Sequence, residues 1–311
     1  MRPLITIIMA TRNGADYLPT QLDSILGQSF PDWQLIVSDD GSTDATRQIV
    51  ARYADQLGDG RIRLTDGPCQ GATANFLQLL EKVEGDSWFA YCDQDDLWQP
   101  DKLARAVAHL SQRTGPAVYA ARTTICDHDL HPLAPAPHFP GPFGLRNALI
   151  QACLPGNTTV ANAAALRLLQ RGIVAATQAK IVSHDWWTYQ LLAGAGADIF
   201  RDKAQVVLYR QHSANVMGRN DTTRARAARF GMLFDGQFAG WLAQNQAALE
   251  PVSHLFTAEN QRLLRQFGCF LDASGPRAAM LMLRMGLYRQ TRSGTLAVNA
   301  AALAGRLRRS N

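Results

Sequence analysis

Residues 87–98 read SWFAYCDQDDLW: a short apolar run that ends in three carboxylates within four positions, Asp93, Asp95 and Asp96. An unbroken apolar run of this length needs cover on both faces, which is the mark of a strand inside a parallel sheet. A strand over 87–93 therefore delivers its acids to the carboxyl edge of the sheet, where ligands of open α/β sheets gather. Clustered carboxylates repel one another unless a cation sits among them. Hard oxygen donors at a strand end suit Mg²⁺ or Mn²⁺, with diphosphate oxygens completing the shell. The competing reading is a solvated acidic turn that caps a helix beginning near Pro100.

Working outward, the same grammar repeats. PLITIIMA (3–10) reads as a buried first strand followed by the turn TRNG, and Tyr17, Leu18, Leu22, Ile25 and Leu26 recur at helical spacing. WQLIVSDD (33–40) is a second strand, after which a helix opens with Ser42 or Thr43 available as N-cap. RIRLTD (61–66) is a third strand, and Ala74 to Val83 a third helix. Alternating strands and helices of this kind predict a doubly wound, mostly parallel sheet. Residues 127–145 are rich in Pro and His and read as a long loop, suited to a lid or an acceptor-side wall. Helices are expected at 163–179 and 185–193, a strand at 198–208, and helix alone after about 222. This gives a catalytic domain over 1–220 and a helical C-terminal region over 221–311.

Composition narrows the classes. With 47% apolar and 18% charged residues over 311 positions, a folded chain is expected rather than a disordered one. Five cysteines, without a CxxC or a Cys/His cluster, argue against a disulfide framework and a structural zinc site. Thr6 interrupts the N-terminal apolar run and no small-residue cleavage site follows it, so a signal peptide is not expected. No stretch approaches the roughly 18 apolar residues of a membrane span. A cytoplasmic location follows as the expectation. The net charge of +5 is uneven: residues 277–311 hold seven arginines and no acid, leaving −2 for the first 276 residues. That tail has one aromatic residue, Tyr288, so an anionic membrane surface suits it better than nucleic acid.

The turn Asp39-Asp40-Gly41-Ser42 ends a buried strand, where a carboxylate can accept the N3–H of a uracil or thymine ring. A strand-to-helix turn with capping chemistry explains it equally well. Ser183-His184-Asp185-Trp186-Trp187 places an acid beside two large rings, which would desolvate it and raise its appetite for a proton. Trp186 and Trp187 offer ring faces to a sugar, against core packing for one of the two; Trp98, at the end of the acidic segment, is a third acceptor-side candidate. Tyr209-Arg210-Gln211-His212 carries a base and an imidazole after the last expected strand, and 215–218 (NVMG) reads as a flexible turn suited to an ordering loop.

Taken in order, the first turn with Thr11 and Asn13, the LIVSDDGSTD segment and CDQDDLW resemble the family 2 glycosyltransferases of the GT-A fold, over about residues 1–215. The resemblance implies a nucleoside pocket lined by Thr11, Asn13, Asp39 and Asp40, with Asp39 on the base. It implies a D-x-D pair in which Asp95 is the main metal ligand and Asp93 lies nearer the ribose. Asn75 falls where the family often has an Arg-Asn pair; Ala74 replaces the arginine. Asp185 matches the family's general base, with His184 in place of the acid that usually precedes it. His212 would complete the metal shell, Arg210 would neutralise the leaving group, and Gly156 and Asn157 would floor the donor sugar site.

The Q-x-x-R-W motif of processive synthases is absent, so single-sugar transfer is expected. The succession D-Q-D-D-L-W, H-D-W-W and Y-R-Q-H most resembles the rhamnosyltransferase-like branch that builds O-antigen and related surface glycans. That implies dTDP-L-rhamnose as donor, a UDP-sugar as its competitor, and a lipid-linked glycan as acceptor. Met280, Leu283 and Leu287, interleaved with arginines, form a basic amphipathic helix. It would lie on the inner face of the cytoplasmic membrane, or pack on the catalytic domain or a second subunit as in a homodimer. Rival classes are a nucleotide-sugar-binding protein without turnover and a nucleotidyltransferase. A dinucleotide dehydrogenase lacks its G-x-G-x-x-G here.

Overall fold

The apolar runs of the N-terminal third become four parallel strands joined by three helices. In chain order these are β1 (Ile5–Thr11), α1 (Leu18–Leu26), β2 (Trp33–Asp39), α2 (Thr46–Leu57), β3 (Ile62–Asp66), α3 (Ala72–Lys82) and β4 (Trp88–Cys92). The computed structural model describes residues 2–212, 231, 233 and 235–309; the expected turn at 215–218 lies outside the described residues. The chain continues through β5 (Leu97–Trp98), α4 (Lys102–Leu110), β6 (Ala117–Cys126), β7 (Pro132–Pro135), α5 (Leu145–Ala148), a 3₁₀ turn (Gly156–Thr158) and β8 (Val160–Ala161). Then follow α6 (Ala163–Ala179), α7 (His184–Gly194), β9 (Asp198–Arg210), α8 (Gln237–Leu249), α9 (Ala258–Asp272), α10 (Gly275–Met285) and α11 (Arg292–Leu303).

The nine strands form one sheet in the order β3-β2-β1-β4-β8-β6-β9-β5, with β7 beside β6. β1 to β4 are mutually parallel, β8 runs antiparallel between β4 and β6, and β6 lies parallel to β9. The expected doubly wound, mostly parallel sheet is therefore present. Alternation along β1 sends Ile5, Ile7 and Met9 into a core with Leu18, Leu22 and Ile25 of α1 and Leu103, Ala106 and Leu110 of α4. Each such aliphatic side chain contributes about 1.5–3 kcal/mol on burial.

Three local readings change. The helix after β2 starts at Thr46 with Ala45 at its N-cap, not at Ser42 or Thr43. Those two residues are committed elsewhere: the Ser42 hydroxyl donates to Asp39, and the Thr43 N–H to the Asn13 side chain. The Asp44 carboxylate accepts the Thr46 N–H instead. Residues 127–145 contain a short strand, β7, paired with β6. And β6 itself, a central strand, escapes a sequence reading because Arg122, Thr123 and Thr124 interrupt its apolar pattern.

The described residues divide into two compact units, one within 1–138, 154–170 and 198–218, the other within 139–153, 171–197 and 219–311. The first holds the sheet. The second joins the C-terminal helices to α5 and α7, so it takes in segments that sequence reading gave to the catalytic domain. Hydrogen bonds explain the grouping. Asn260 donates to the carbonyls of Ala193 and Gly194, Asn147 to that of Tyr288, and Arg146 pairs with Glu259.

Candidate active site at the carboxyl end of the sheet

β1, β2 and β4 are in register and parallel, so the residues that leave them share one edge. Thr11 is paired with Asp39 across that edge, and its hydroxyl donates to the Asp39 carboxylate at 3.2 Å. Asp39 also accepts from the Ser42 hydroxyl at 2.5 Å, the Ser42 N–H at 3.1 Å and Arg47 at 3.4 Å. Its carboxylate is held in a polar cradle and is only 2% exposed. Arg47 bridges on to Asp66 at 2.9 Å.

Asp40 turns the other way. Its two oxygens accept the N–H groups of Cys69 at 2.6 Å and Gly71 at 2.8 Å, which ties down the loop entering α3. Asn75 is buried on the first turns of α3 and donates to the Ser38 carbonyl at 2.9 Å. Gly67 sits where a Cβ would come within 2.8 Å of Asp40 and 3.1 Å of Asn75, so only glycine lets these groups close up. Asn13 adopts φ 48° and accepts the Thr43 N–H at 2.9 Å, fixing the first turn against the second.

The acid turn after β4 is clasped to that first turn. The Gln94 amide accepts the Arg12 N–H at 2.9 Å and donates to the Arg12 carbonyl at 3.1 Å. Gly14 leaves room for it, since a Cβ there would lie 2.3 Å from Gln94 Oε1.

β5 then pairs antiparallel with β9, Leu97 against Leu208 and Trp98 against Val207. This pairing carries Arg210 and His212 to the acids. His212 Nε2 and Asp95 Oδ2 face one another at 2.7 Å, with the side chains 8% and 15% exposed. The Tyr17 ring stacks on His212 at 4.7 Å between centroids, and the Arg210 guanidinium lies 5.0 Å over the same ring. Arg210 donates from Nε to the Asp95 carbonyl at 2.9 Å and from Nη1 to the His128 carbonyl, so it braces the turn.

Asp96, which sequence reading counted in the cluster but gave no role, is fully buried behind it. Its carboxylate accepts Asn157 Nδ2 at 2.6 Å and the Arg210 N–H at 3.3 Å. Burial, then the charges of Asp95 and Asp93, push its carboxyl well above the usual carboxylate range. Asn157 is held in place by the 3₁₀ turn that begins at Gly156, which docks on β4 through the Tyr91 N–H and the Thr159 carbonyl. The Tyr209 phenol is pushed up first by burial and then by Asp96 and Asp93.

A built-in cation was also missed: Lys102, wholly buried at the start of α4, with Nζ 3.1 Å over the Trp98 ring. Burial pushes its amine down to about 7, while Cys92, Asp96 and Asp93 pull it back up. Its signal in the sequence was faint, because a lysine one residue past Asp101 reads as a solvated helix start.

The acceptor-side tryptophans need correction. Trp98 is 1% exposed under Lys102, and Trp187 is 0% exposed. Trp186 donates from its ring to the Ala148 carbonyl at 2.7 Å and stacks on Phe238. All three rings are core residues of their units, because apolar faces of that size gain most from full burial. Asp185 belongs to the second unit, at the start of α7; it stays partly exposed and accepts the Trp186 N–H at 2.7 Å. The neighbouring His184 imidazole is pushed down to about 4 by burial, against the pull of Asp185, and is therefore neutral at pH 7.

Asp95 and His212 are fit to hold a divalent ion. An oxygen and an imidazole nitrogen 2.7 Å apart approach the ~2.9 Å edge between neighbouring ligands of an octahedral ion. A second group, Asp127, Asp129 and His131, has donor atoms within 4.8 Å, but it lies in a turn that backbone N–H bonds into Asp127 explain.

Residues 6–170, more than half of the chain, match Glycosyl transferase family 2. The chain belongs to that family. The nucleotidyltransferase and dehydrogenase readings fall, and the expected class, a glycosyltransferase, holds. Among relatives, this family 2 chain is 28% identical over 232 residues to the dTDP-rhamnosyl transferase RfbG of Shigella flexneri, covering 72% of this chain and 78% of that protein. It is 33% identical over 137 residues to the putative teichuronic acid biosynthesis glycosyltransferase TuaG of Bacillus subtilis, covering 42% of this chain. The match spans about half of TuaG's length, 53%.

Solved structures show the same fold. S. aureus TarS 1–349, in complex with UDP-GlcNAc, superposes with a TM-score of 0.56 at 16% identity, covering 96% of this chain and 90% of that one. The mannosyltransferase PcManGT of Pyrobaculum calidifontis, in complex with GDP-Man and Mn²⁺, gives 0.52 at 21% identity, covering 98% and 86%. The family 2 chain thus has the expected GT-A fold, with a helical C-terminal part.

Proposed function

We propose that this transferase is inverting, metal-dependent and non-processive, and moves one sugar from a nucleoside diphosphate to an acceptor hydroxyl. The observation that carries the reading is the Asp95–His212 pair, brought to 2.7 Å from positions 117 residues apart by the β5–β9 pairing. Asp39 and Thr11 would receive the base, with Asn13 shaping the first turn; Asp40 and Asn75 would hold the pocket wall. Asp93, Asp95 and His212 would hold Mg²⁺ or Mn²⁺. Such an ion offsets the repulsion of the acids and takes up negative charge on the leaving diphosphate. Arg210 keeps the acid turn in place, and its guanidinium would neutralise charge on the leaving group. Gly156 and Asn157 would floor the sugar site.

Asp185, resembling the family's base, would remove the proton of the acceptor hydroxyl. The hydroxyl oxygen then bonds to the anomeric carbon from the face opposite the diphosphate, whose carbon–oxygen bond breaks, so configuration inverts.

For the donor we propose dTDP-L-rhamnose. The relative named a dTDP-rhamnosyl transferase supports it, and a UDP-sugar is the competitor. For the acceptor we propose a lipid-linked surface glycan, supported by a relative named for teichuronic acid biosynthesis. That acceptor calls for a peripheral seat on the inner face of the membrane. No helix among the described residues is long and apolar enough to cross one.

Thermal stabilisation by dTDP-rhamnose, UDP-sugars and GDP-mannose, each with Mn²⁺ and with chelator, tests the scheme. Selective, metal-dependent protection by dTDP-rhamnose is expected. Undiminished binding and turnover after exhaustive chelation would remove the metal from the mechanism, and preference for a UDP-sugar would overturn the donor.

A further inference from the structure

We propose that the hairpin of α10 and α11 is a docking surface for an anionic lipid leaflet. The two helices are antiparallel neighbours: a Cβ at Gly275 would lie 3.8 Å from the Leu303 carbonyl, and one at Gly305 3.5 Å from Ser274. Their inner faces are anchored by Ala278, Met282 and Met285 on α10 and by Ala297, Val298, Ala301 and Ala302 on α11. Leu287, which sequence reading placed on one stripe with Met280 and Leu283, is instead buried with the inner faces.

The outer faces are unusual. Nine large apolar side chains are exposed among the described residues, and four lie here: Met280 (45%), Leu283 (70%), Leu296 (70%) and Leu303 (54%). Single exposed leucines need no explanation, but such a concentration does. Arginines stand between them. Arg277, Met280 and Arg284 follow helical spacing on α10, Arg292, Leu296 and Leu303 on α11, and exposed Arg306 and Arg308 come just after. No acid occurs from 277 to 311, and the nearest one before it, Asp272, is taken by Arg309 at 2.6 and 2.8 Å.

Charge decides the occupant. A second copy meeting this face through a two-fold axis would set arginine against arginine with no carboxylate between them. A nucleic acid would gain from exposed rings, but the only aromatic residue of 277–311, Tyr288, is partly buried and donates its hydroxyl to the Pro142 carbonyl at 2.9 Å. Leucines among arginines, without acids, match lipid headgroups above an acyl layer. The purpose of this surface rests on the proposed lipid-linked acceptor; its test does not.

The test is flotation of the full chain with vesicles of phosphatidylglycerol mixed with phosphatidylcholine, and with phosphatidylcholine alone. Binding is expected only on the anionic vesicles and should weaken as salt is raised. Replacing Arg277, Arg284 and Arg292 by glutamine should cut the partition coefficient roughly a hundredfold, at about fivefold per arginine. Leu283→Glu with Leu296→Glu should cut it at least about tenfold. All these positions are exposed, so melting temperature should not move. Wild-type protein that stays at the bottom with anionic vesicles, or variants that float as well as wild type, would overturn the proposal. So would a dimer that the leucine variants dissociate. A chain that floats as expected yet binds no nucleotide sugar supports this surface and sinks the donor reading instead.

Discussion

Replacing Lys102 by methionine should make the protein more stable at neutral pH, and the gain should fade as the solution becomes alkaline. Lys102 is wholly buried, Nζ has no hydrogen-bond partner among the described residues, and it lies 3.1 Å over the Trp98 ring. Its amine falls from 10.5 to about 7, burial outweighing the pull of Cys92, Asp96 and Asp93. At about 1.4 kcal/mol per pH unit, that gap corresponds to ~4–5 kcal/mol against the folded state when the amine is charged. Methionine fills the same space without a charge, so a gain of up to about 4 kcal/mol is expected at pH 7. Between about pH 7 and 10.5 the unfolded chain holds more protons than the folded one at this site, so wild-type stability rises with pH across that window. The variant lacks this slope. Urea unfolding followed by tryptophan fluorescence at stepped pH measures both curves. A variant less stable than wild type at pH 7, or a difference that stays constant across the window, would refute the reasoning.

Other outcomes follow from the same site. Asp95→Asn and His212→Ala should each weaken Mn²⁺ binding by at least about tenfold to a hundredfold, read by metal titration. Asp185→Asn should lower transfer by about 10²- to 10⁴-fold while donor-induced thermal stabilisation stays as in wild type; equal loss of both would show that Asp185 serves binding. Asp96→Ala leaves the Asn157 side-chain amide and the Arg210 N–H without their acceptor, and should cost about 1–3 kcal/mol in stability. Gly14→Ala drives a methyl into the Gln94 amide and should release the clasp on Arg12, lowering donor affinity with little change in circular dichroism.

Much of the candidate site could be read in the chain because its parts lie at strand ends. Thr11, Asp39 and Asp93 follow apolar runs directly, and parallel pairing sets such ends side by side. Only the family resemblance set His212 in one metal shell with Asp95; no local pattern shows that proximity, or that Arg210 holds the Asp95 carbonyl, since both depend on a two-residue strand, β5, too short to show a pattern. The tryptophans misled for the opposite reason: a ring that can stack on a sugar and a ring that fills a core have the same side chain, and burial alone separates them.

By itself, then, the amino-acid order determined the alternation of strands and helices, the edge at which the acids emerge and the family. Each of these is encoded by residues close together along the chain. Tertiary structure alone decided that Asp96 and Lys102 are buried ionisable groups behind the acid turn, that Arg210 braces it, and that α10 and α11 present leucine and arginine outward. Those facts depend on which distant segments exclude water from a side chain, and local pattern carries no record of that.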